Sequence, residues 1–279
     1  MINNLLILVC FYKEKYLLPK DPRYFNIQCG KEFTGIDLGM IADNTGDNIS
    51  LKNTYWSEIT GLYWAWKNLD PVKYVGLCSY RRFFNFKHNP HKPIRIIKSN
   101  RINDIEAIKF PDLDALFSNY DIVVPKYYTY AYSIRKVCMM NYNYSDFLDL
   151  EKVILQLYPD YIDAFKSVLS QTNKAIGHNM FILPWEIFNN YCEWVFSILF
   201  LLEDRIDPKD YPVSKIRVFG YMHELLLAVY ISKNQLRPFY SQLTWVCDDT
   251  AKFKFNRLYY RGAANLNYYV NKLLRKEKN

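Results

Sequence analysis

Two adjacent arginines close an apolar run at Val72–Cys78, giving Ser79-Tyr80-Arg81-Arg82-Phe83-Phe84. Neighbouring guanidiniums cannot both be buried without anions, and each offers a planar fork that fits phosphate oxygens. Surface ion pairs would explain the pair about as well, but a position directly after a buried strand favours phosphate, with Tyr80 beside it. A second polar segment, Asp43-Asn44-Thr45-Gly46-Asp47-Asn48-Ile49-Ser50, sets carboxylates, amides and hydroxyls on a tight turn ahead of a helix. Asp43, Asn44, Asn48 and the following Asn53 are candidates to read a ribose or a base edge; a plain turn with a helix cap is the ordinary alternative. His178-Asn179 precedes a strand, which suits either projection into a cleft or a structural role. Arg217, Gly220, Tyr221, Glu224 and Ala228 recur at helical spacing on one face. Gly220 leaves room beside Glu224, whose carboxylate is a candidate general base, although a solvated glutamate on an amphipathic helix is commoner.

Other catalytic signatures are missing: the sequence has no Walker loop, no GxGxxG, no GxSxG and no HExxH, so kinase, dehydrogenase and hydrolase readings lose support. Cys10, Cys29, Cys78, Cys138, Cys192 and Cys247 stand singly, without zinc-ligand spacing, as in a reduced cytosolic protein with buried thiols.

The elements that must position these residues follow from hydrophobic patterning. Leu5–Cys10 is continuous and apolar, as central parallel strands are. A loop rich in Lys, Pro and Tyr follows, then the Asn/Asp turn, then a helix over about Leu51–Asn68 with Trp56, Ile59, Leu62, Tyr63 and Trp66 on one face. Val72–Cys78 is a second strand, Asn85–Asn103 a basic surface loop, Tyr120–Pro125 a third strand and Phe181–Pro184 a fourth. Asp146–Ser170 is helical with an interruption near Pro159, and further helices span about Trp185–Leu202 and Val218–Ser232. A final amphipathic helix covers about Ala264–Lys276. Helices alternating with strands define an α/β sheet, whose ligands sit at the carboxyl ends of its strands.

A chain of 279 residues, 50% hydrophobic, is long enough for one large α/β domain. Its 18% aromatic content includes 25 Tyr and 18 Phe spread along the whole length, which suits stacking on sugars or bases as well as a Tyr-rich core. The net charge of +8 favours anionic partners, and much of it lies late, at Lys252, Lys254, Arg257, Arg261, Lys272, Arg275, Lys276 and Lys278. The apolar run Leu5–Tyr12 is bounded by Lys13 and Lys15 and is too short to span a bilayer; Trp194–Leu202 ends in Glu203, Asp204 and Arg205. A soluble or peripheral protein is expected.

The ordered segments Asp43–Ser50, Glu58–Asn68 and Gly76–Phe84, then Tyr120–Lys126, His178–Ile182, Tyr191–Trp194 and Arg217–Glu224, resemble a family of bacterial capsular and exopolysaccharide glycosyltransferases. That family was long known only as a domain of unknown function, and some of its members are galactofuranosyltransferases. The resemblance spans about Leu5 to Ile231. Two departures stand out: Tyr12-Lys13 replaces the family's His-Lys, and Ser79 replaces the His before Tyr-Arg-Arg.

The resemblance implies a GT-A-like, Rossmann-type nucleotide-sugar-binding sheet flanked by helices, with a helical C-terminal part. Residues up to about 184 would be the nucleotide-sugar-binding part of a single domain, and 185–279 the acceptor- or membrane-facing part. It implies an inverting hexosyltransferase using a UDP-sugar, first of all UDP-galactofuranose, with Glu224 as base. The donor would meet Asp43, Asn44, Asn48, Asn53, Tyr80, Arg81, Arg82, His178, Asn179 and Arg217. Where that fold commonly carries an Asp-x-Asp metal motif this chain has Tyr80-Arg81-Arg82, so arginines in place of Mn or Mg are expected to neutralise the diphosphate and no metal is required. The acceptor would be an undecaprenyl-diphosphate-linked glycan at the inner face of the plasma membrane. The last helix, with Leu266, Tyr269, Val270 and Leu273 on one face, would either rest on acidic lipid or pack on the domain. The rivals are a non-catalytic nucleic-acid-binding protein, disfavoured because the basic residues match no recognised module, and a silent sugar-binding subunit.

Overall fold

The apolar run Leu5–Phe11 forms strand β1, and its side chains alternate between two cores. Leu8 and Cys10 pack into one; Leu5, Ile7, Val9 and Phe11 pack into the other. The computed structural model describes residues 4–12, 19–87, 94–101, 103–248 and 264–274. In chain order the remaining strands are β2 (Tyr24–Gln28), β3 (Ile41–Ala42), β4 (Tyr74–Ser79), β5 (Arg82–Phe84), β6 (Ile94–Ile97), β7 (Ile122–Pro125), β8 (Tyr128–Thr129), β9 (Lys174–Ala175), β10 (Phe181–Pro184), β11 (Pro238–Ser241) and β12 (Leu243–Val246).

The main sheet runs β11-β7-β10-β4-β1-β2-β3, with β12 joining β5 and β6 beside β4. Strand β1 lies parallel to both β2 and β4, whereas β10 is antiparallel to β4 and β7. One face carries α1 (Asn53–Trp56) and α2 (Ile59–Asn68). The other face carries α3 (Asn103–Glu106) and α4 (Leu113–Asn119). The first core also takes α5 (Ile134–Asn141), α6 (Tyr144–Leu157), α7 (Ile162–Ser170), α8 (Trp185–Glu203) and α9 (Val218–Lys233), and a last helix covers residues 264–273. A Cβ at Gly61 would stand 2.6 Å from the Cys29 sulfur, so the bare backbone there is what seats α2 against β1 and β2. No helix among the described residues is long and apolar enough to cross a membrane.

Several expectations need correction. The Lys-, Pro- and Tyr-rich stretch after β1 contains β2, whose mixed sequence is buried because it borders β1. The basic segment Asn85–Asn103 is not all loop: β6 pairs with β12, while 88–93 and 102 lie outside the described residues. The part beyond 184 is mainly helical, as expected, with β11 and β12 returning the chain to the sheet after α9. Helix α9 is not amphipathic but buried on nearly every side, which its continuous apolar sequence requires. The single helix expected over Leu51–Asn68 is three pieces, with a 3-10 turn at Ser50–Lys52 and a break at Ser57. The basic positions 252–261 and 275–278 lie outside the described residues.

Asp43 is fully buried, and its carboxylate is saturated. It accepts from the backbone N–H of Gly30 at 2.9 Å and of Lys31 at 3.2 Å, and from the hydroxyls of Ser50 and Thr60 at 2.6 Å each. One side chain thereby ties the end of β2, the Asn/Asp turn and the start of α2. Its role is structural, which removes it from the nucleoside-reading candidates. Asp43→Ala strands four buried donors and is expected to lower the unfolding free energy in urea by about 3 kcal/mol or more; a loss below about 1 kcal/mol would contradict the anchoring role.

Candidate active site

Because β1, β2 and β4 are parallel, their carboxyl ends lie on one edge, and a cavity of about 450 Å³ opens there. Its wall is built from Cys10, Phe11 and Tyr12 at the end of β1, Ser79 to Arg82 at the end of β4, Asn53, Thr54, Ser57 and Glu58 at the helix break, and Arg217 and Tyr221 at the start of α9. Ser79 pairs with Arg82 across a tight β4–β5 hairpin, so Tyr80 and Arg81 form its tip. The guanidinium of Arg81 lies 4.9 Å from the Tyr80 ring, that of Arg82 4.7 Å from the Trp245 ring, and that of Arg217 5.8 Å from the Tyr12 ring. Among the described residues no ion pair engages any of the three. The Arg82 Nε is buried without a hydrogen-bond partner. Stacking on aromatic rings orients these cations but neutralises none of them, so the cavity is built to receive an anion.

Glu58 reaches this wall because the helix breaks before it. Trp56 is buried among Phe196, Phe200 and Phe219, and its indole N–H donates to Glu203 at 3.0 Å, which fixes α1 on α8. The next residue, Ser57, takes φ 58°, a left-handed value that turns the chain sharply. Gly220 of α9 makes room for that turn, since a Cβ there would stand 3.4 Å from the Ser57 Cβ and 3.5 Å from the Trp56 carbonyl. The room that Gly220 leaves is therefore filled by the Trp56-Ser57 backbone. The Glu58 carboxylate accepts from the Ser57 hydroxyl at 2.6 Å and from the Asn179 amide at 3.1 Å. Behind Asn179 runs a buried chain: His223 Nδ1 lies 2.7 Å from the Asn179 carbonyl oxygen, and His223 Nε2 3.0 Å from the Tyr191 hydroxyl. Burial holds the His223 pKa down at about 3, so the ring is neutral. A proton on Nδ1 then satisfies every partner, with Tyr191 donating to Nε2 and the whole chain polarised toward Glu58.

Glu224 sits one helical turn beyond Gly220, half-buried, and accepts from the His178 backbone N–H at 3.0 Å. His178 and Asn179 both adopt left-handed φ, 78° and 50°, a strained pair that aims one residue's amide at Glu224 and the next residue's side chain at Glu58. Burial, then repulsion from Glu58, pushes the Glu224 pKa up to about 7, against the pull of the His178 N–H and Arg82. The His178 ring is pushed the other way, well below its ordinary value, by burial and by Arg82, and its Nε2 is hydrogen-bonded to the Tyr128 hydroxyl. Glu224 lines a small cavity that adjoins the arginine cavity, and Tyr221 is in both walls. A carboxyl poised near neutrality beside an anion-binding cavity is suited to taking a proton from a hydroxyl.

Of the residues expected from sequence, Asn53, Tyr80, Arg81, Arg82 and Arg217 share the cavity wall. His178 and Asn179 stand behind it, supporting the two carboxylates. Asn44 and Asn48 do not reach it: their amides are committed to Glu32 and to the Gly46 carbonyl. Glu58 went unassigned, since a continuous helix would have turned it away, and nothing in the local sequence signals the break at Ser57. The strand end itself carries guanidiniums where a divalent ion would need carboxylates, and the cavity wall offers Glu58 as its one carboxylate among the described residues. Among the described residues no group of three or more His, Cys, Asp or Glu is arranged to hold a metal.

A helix-flanked, largely parallel sheet with a helical C-terminal part is a glycosyltransferase-like α/β fold. The chain belongs to the family DUF4422, a domain of unknown function, whose model matches residues 6–235. It is also similar to the apo structure of WbbM, a bifunctional glycosyltransferase, with a TM-score of 0.78 and 28% identity over 88% of this chain. The match covers 45% of the WbbM chain, so this protein spans less than half of that relative's length. No curated protein matches the chain.

The raised Glu224 pKa has a stability consequence. From the ordinary 4.5 up to about 7 the folded protein binds more protons than the unfolded chain, so stability falls as pH rises through that window and stays lowered above it. Glu224→Gln removes the buried charge and keeps an acceptor for the His178 N–H. At pH 8 the variant is expected to be more stable than the parent by on the order of 2–3 kcal/mol, with little difference at pH 4. Equal urea midpoints at both pH values would contradict the raised pKa.

Proposed function

We propose that this protein is an inverting glycosyltransferase that moves a hexose from a UDP-sugar to a hydroxyl of a glycan. The observation that carries the reading is the cavity at the parallel strand ends, where Arg81, Arg82 and Arg217 have no ion-pair partner among the described residues and two carboxylates stand close by. In the reaction the acceptor oxygen attacks the anomeric carbon from the face opposite the diphosphate. The bond from that carbon to the phosphate oxygen breaks, the diphosphate leaves with the electron pair, and the hydroxyl proton passes to Glu224. A single displacement inverts the anomeric configuration. The arginines stabilise the charge growing on the leaving group, the part a metal ion plays elsewhere, so the reaction runs without Mn or Mg. Asn53, Thr54 and the β1 end at Tyr12 are the wall available to the nucleoside.

UDP-galactofuranose is the proposed donor, on the strength of the family resemblance. Tyr12 and Ser79, the two positions where this chain departs from the family pattern, both line the cavity, which makes them the proposed determinants of donor choice. The proposed acceptor is an undecaprenyl-diphosphate-linked glycan at the cytoplasmic face of the membrane. Helix 264–273 docks through the buried Ala264 and Tyr268, whereas Leu266, Tyr269, Val270, Leu273 and Leu274 are exposed. An apolar face turned to solvent, next to Lys272 and a basic C-terminal sequence, suits contact with acidic lipid.

Glu58 is the alternative base, because it lines the arginine cavity itself. Glu224→Gln is expected to lower turnover about 10²–10⁴-fold while UDP affinity stays within a few-fold. Full turnover in Glu224→Gln combined with its loss in Glu58→Gln would move the base to Glu58. Chelator is expected to leave the rate unchanged; inactivation that manganese reverses would overturn the arginine mechanism. In liposome flotation, the protein should float with anionic but not neutral vesicles, and Leu266→Ser with Leu273→Ser should abolish this. Equal flotation of the double variant would mean that the exposed face is not the contact.

A further inference from the structure

Glu224 lines the second of three cavities that are linked through shared wall residues. The first is the arginine cavity, which shares Tyr221 with the small cavity, of about 70 Å³, that Glu224 lines. The third, of about 430 Å³, shares Tyr130 and Val137 with the small one. Its wall includes Tyr128, Tyr130, Tyr132, Met140, Asn141 and Asn267, the last from helix 264–273. We propose that this third cavity is the acceptor subsite: it binds the neutral sugar units next to the one whose hydroxyl is glycosylated, and delivers that hydroxyl to Glu224. The proposal rests on the transferase reading and adds to it the place and chemistry of acceptor recognition.

Three observations support it. The first is the division of charge along the series: among the described residues no charged side chain lines the outer cavity, whereas three arginines line the inner one. A diphosphate is drawn to the inner end, and an uncharged polyol meets no electrostatic bar at the outer end. The second is the lining itself. Tyrosine rings stack on sugar C–H faces, and the amides of Asn141 and Asn267 offer both donors and acceptors to hydroxyls, in a volume within the roughly 300–1,000 Å³ range of small-ligand sites.

The third is rigidity and linkage to the reacting group. The tyrosine segment is pinned on one side by Asn173, which exchanges hydrogen bonds with Tyr130 at 2.8 and 2.9 Å. On the other side the Asn271 amide donates to the Ala131 carbonyl at 3.0 Å. At its inner end the Tyr128 hydroxyl bonds the His178 ring, and the His178 N–H donates to Glu224. The same helix that closes this cavity turns its apolar side outward, so a glycan on a membrane-held carrier would enter beside the lipid contact.

The test measures transfer by the full chain from UDP-hexose donors to a panel of octyl-linked hexose di- and trisaccharides. Tyr132→Ala is expected to raise the acceptor KM at least tenfold with the donor KM within twofold, and Tyr132→Phe, which keeps the ring, to stay near the parent value. Asn267→Ala, in the part of the wall that helix 264–273 supplies, should raise the acceptor KM severalfold and serves if Tyr132→Ala folds poorly. An unchanged acceptor KM in both alanine variants overturns the subsite while leaving the transferase reading intact. Competition by octyl phosphate as strong as that by the glycans would make the cavity a lipid cleft and also overturns it. No transfer by the parent protein to any member of the panel overturns the transferase reading itself.

Discussion

Uncompensated charge at one sheet edge is the constraint around which this structure is organised. Three guanidiniums and a carboxylate line one cavity, a second carboxylate stands just behind, and none of them forms an ion pair with a described residue. Left alone, such an arrangement costs free energy. Burial, with added repulsion from Glu58, already holds Glu224 at the edge of protonation near neutral pH. An anion that arrives at the arginines relieves one part of this, and a proton that arrives at Glu224 relieves another. On the proposed transferase reading, a nucleotide diphosphate leaving group and an acceptor hydroxyl would supply both.

The rest of the fold holds these groups where they would not settle unaided. Parallel pairing of β1, β2 and β4 brings three carboxyl ends together, and the β4–β5 hairpin puts Arg81 at its tip. The strained backbone at Ser57, His178 and Asn179 is concentrated at the two carboxylates, and each strained segment is held by buried partners. Trp56 locks the first, while the chain Tyr191–His223–Asn179 locks the second and ends on Glu58. Asp43 performs the same service at the end of β2 without touching the cavity.

Much of this could be read from residue types, and what could not has a physical cause. Strands β1, β7 and β10 and helix α8 were legible because they are continuous apolar runs bounded by polar residues. Strand β2 was not, since its Tyr-Phe-Asn-Ile-Gln sequence becomes strand-like only through its partner β1. The Arg81-Arg82 pair stood out because paired guanidiniums after a buried strand are chemically conspicuous. Asp43 stood out equally but for the wrong reason: a polar side chain on a turn looks the same whether it faces a ligand or four internal donors. Glu58 was invisible because its placement depends on a helix break that Gly220, 162 positions later in the chain (220 − 58), makes possible.

The most direct test of the central claim is calorimetric titration of the protein with UDP and with uridine. If the arginines exist to hold a diphosphate, UDP binds at least about 100-fold more tightly than uridine, and Arg81→Gln with Arg82→Gln removes that difference without weakening uridine. Equal affinities for the two ligands in the parent protein, or a UDP preference that survives loss of both arginines, would contradict it.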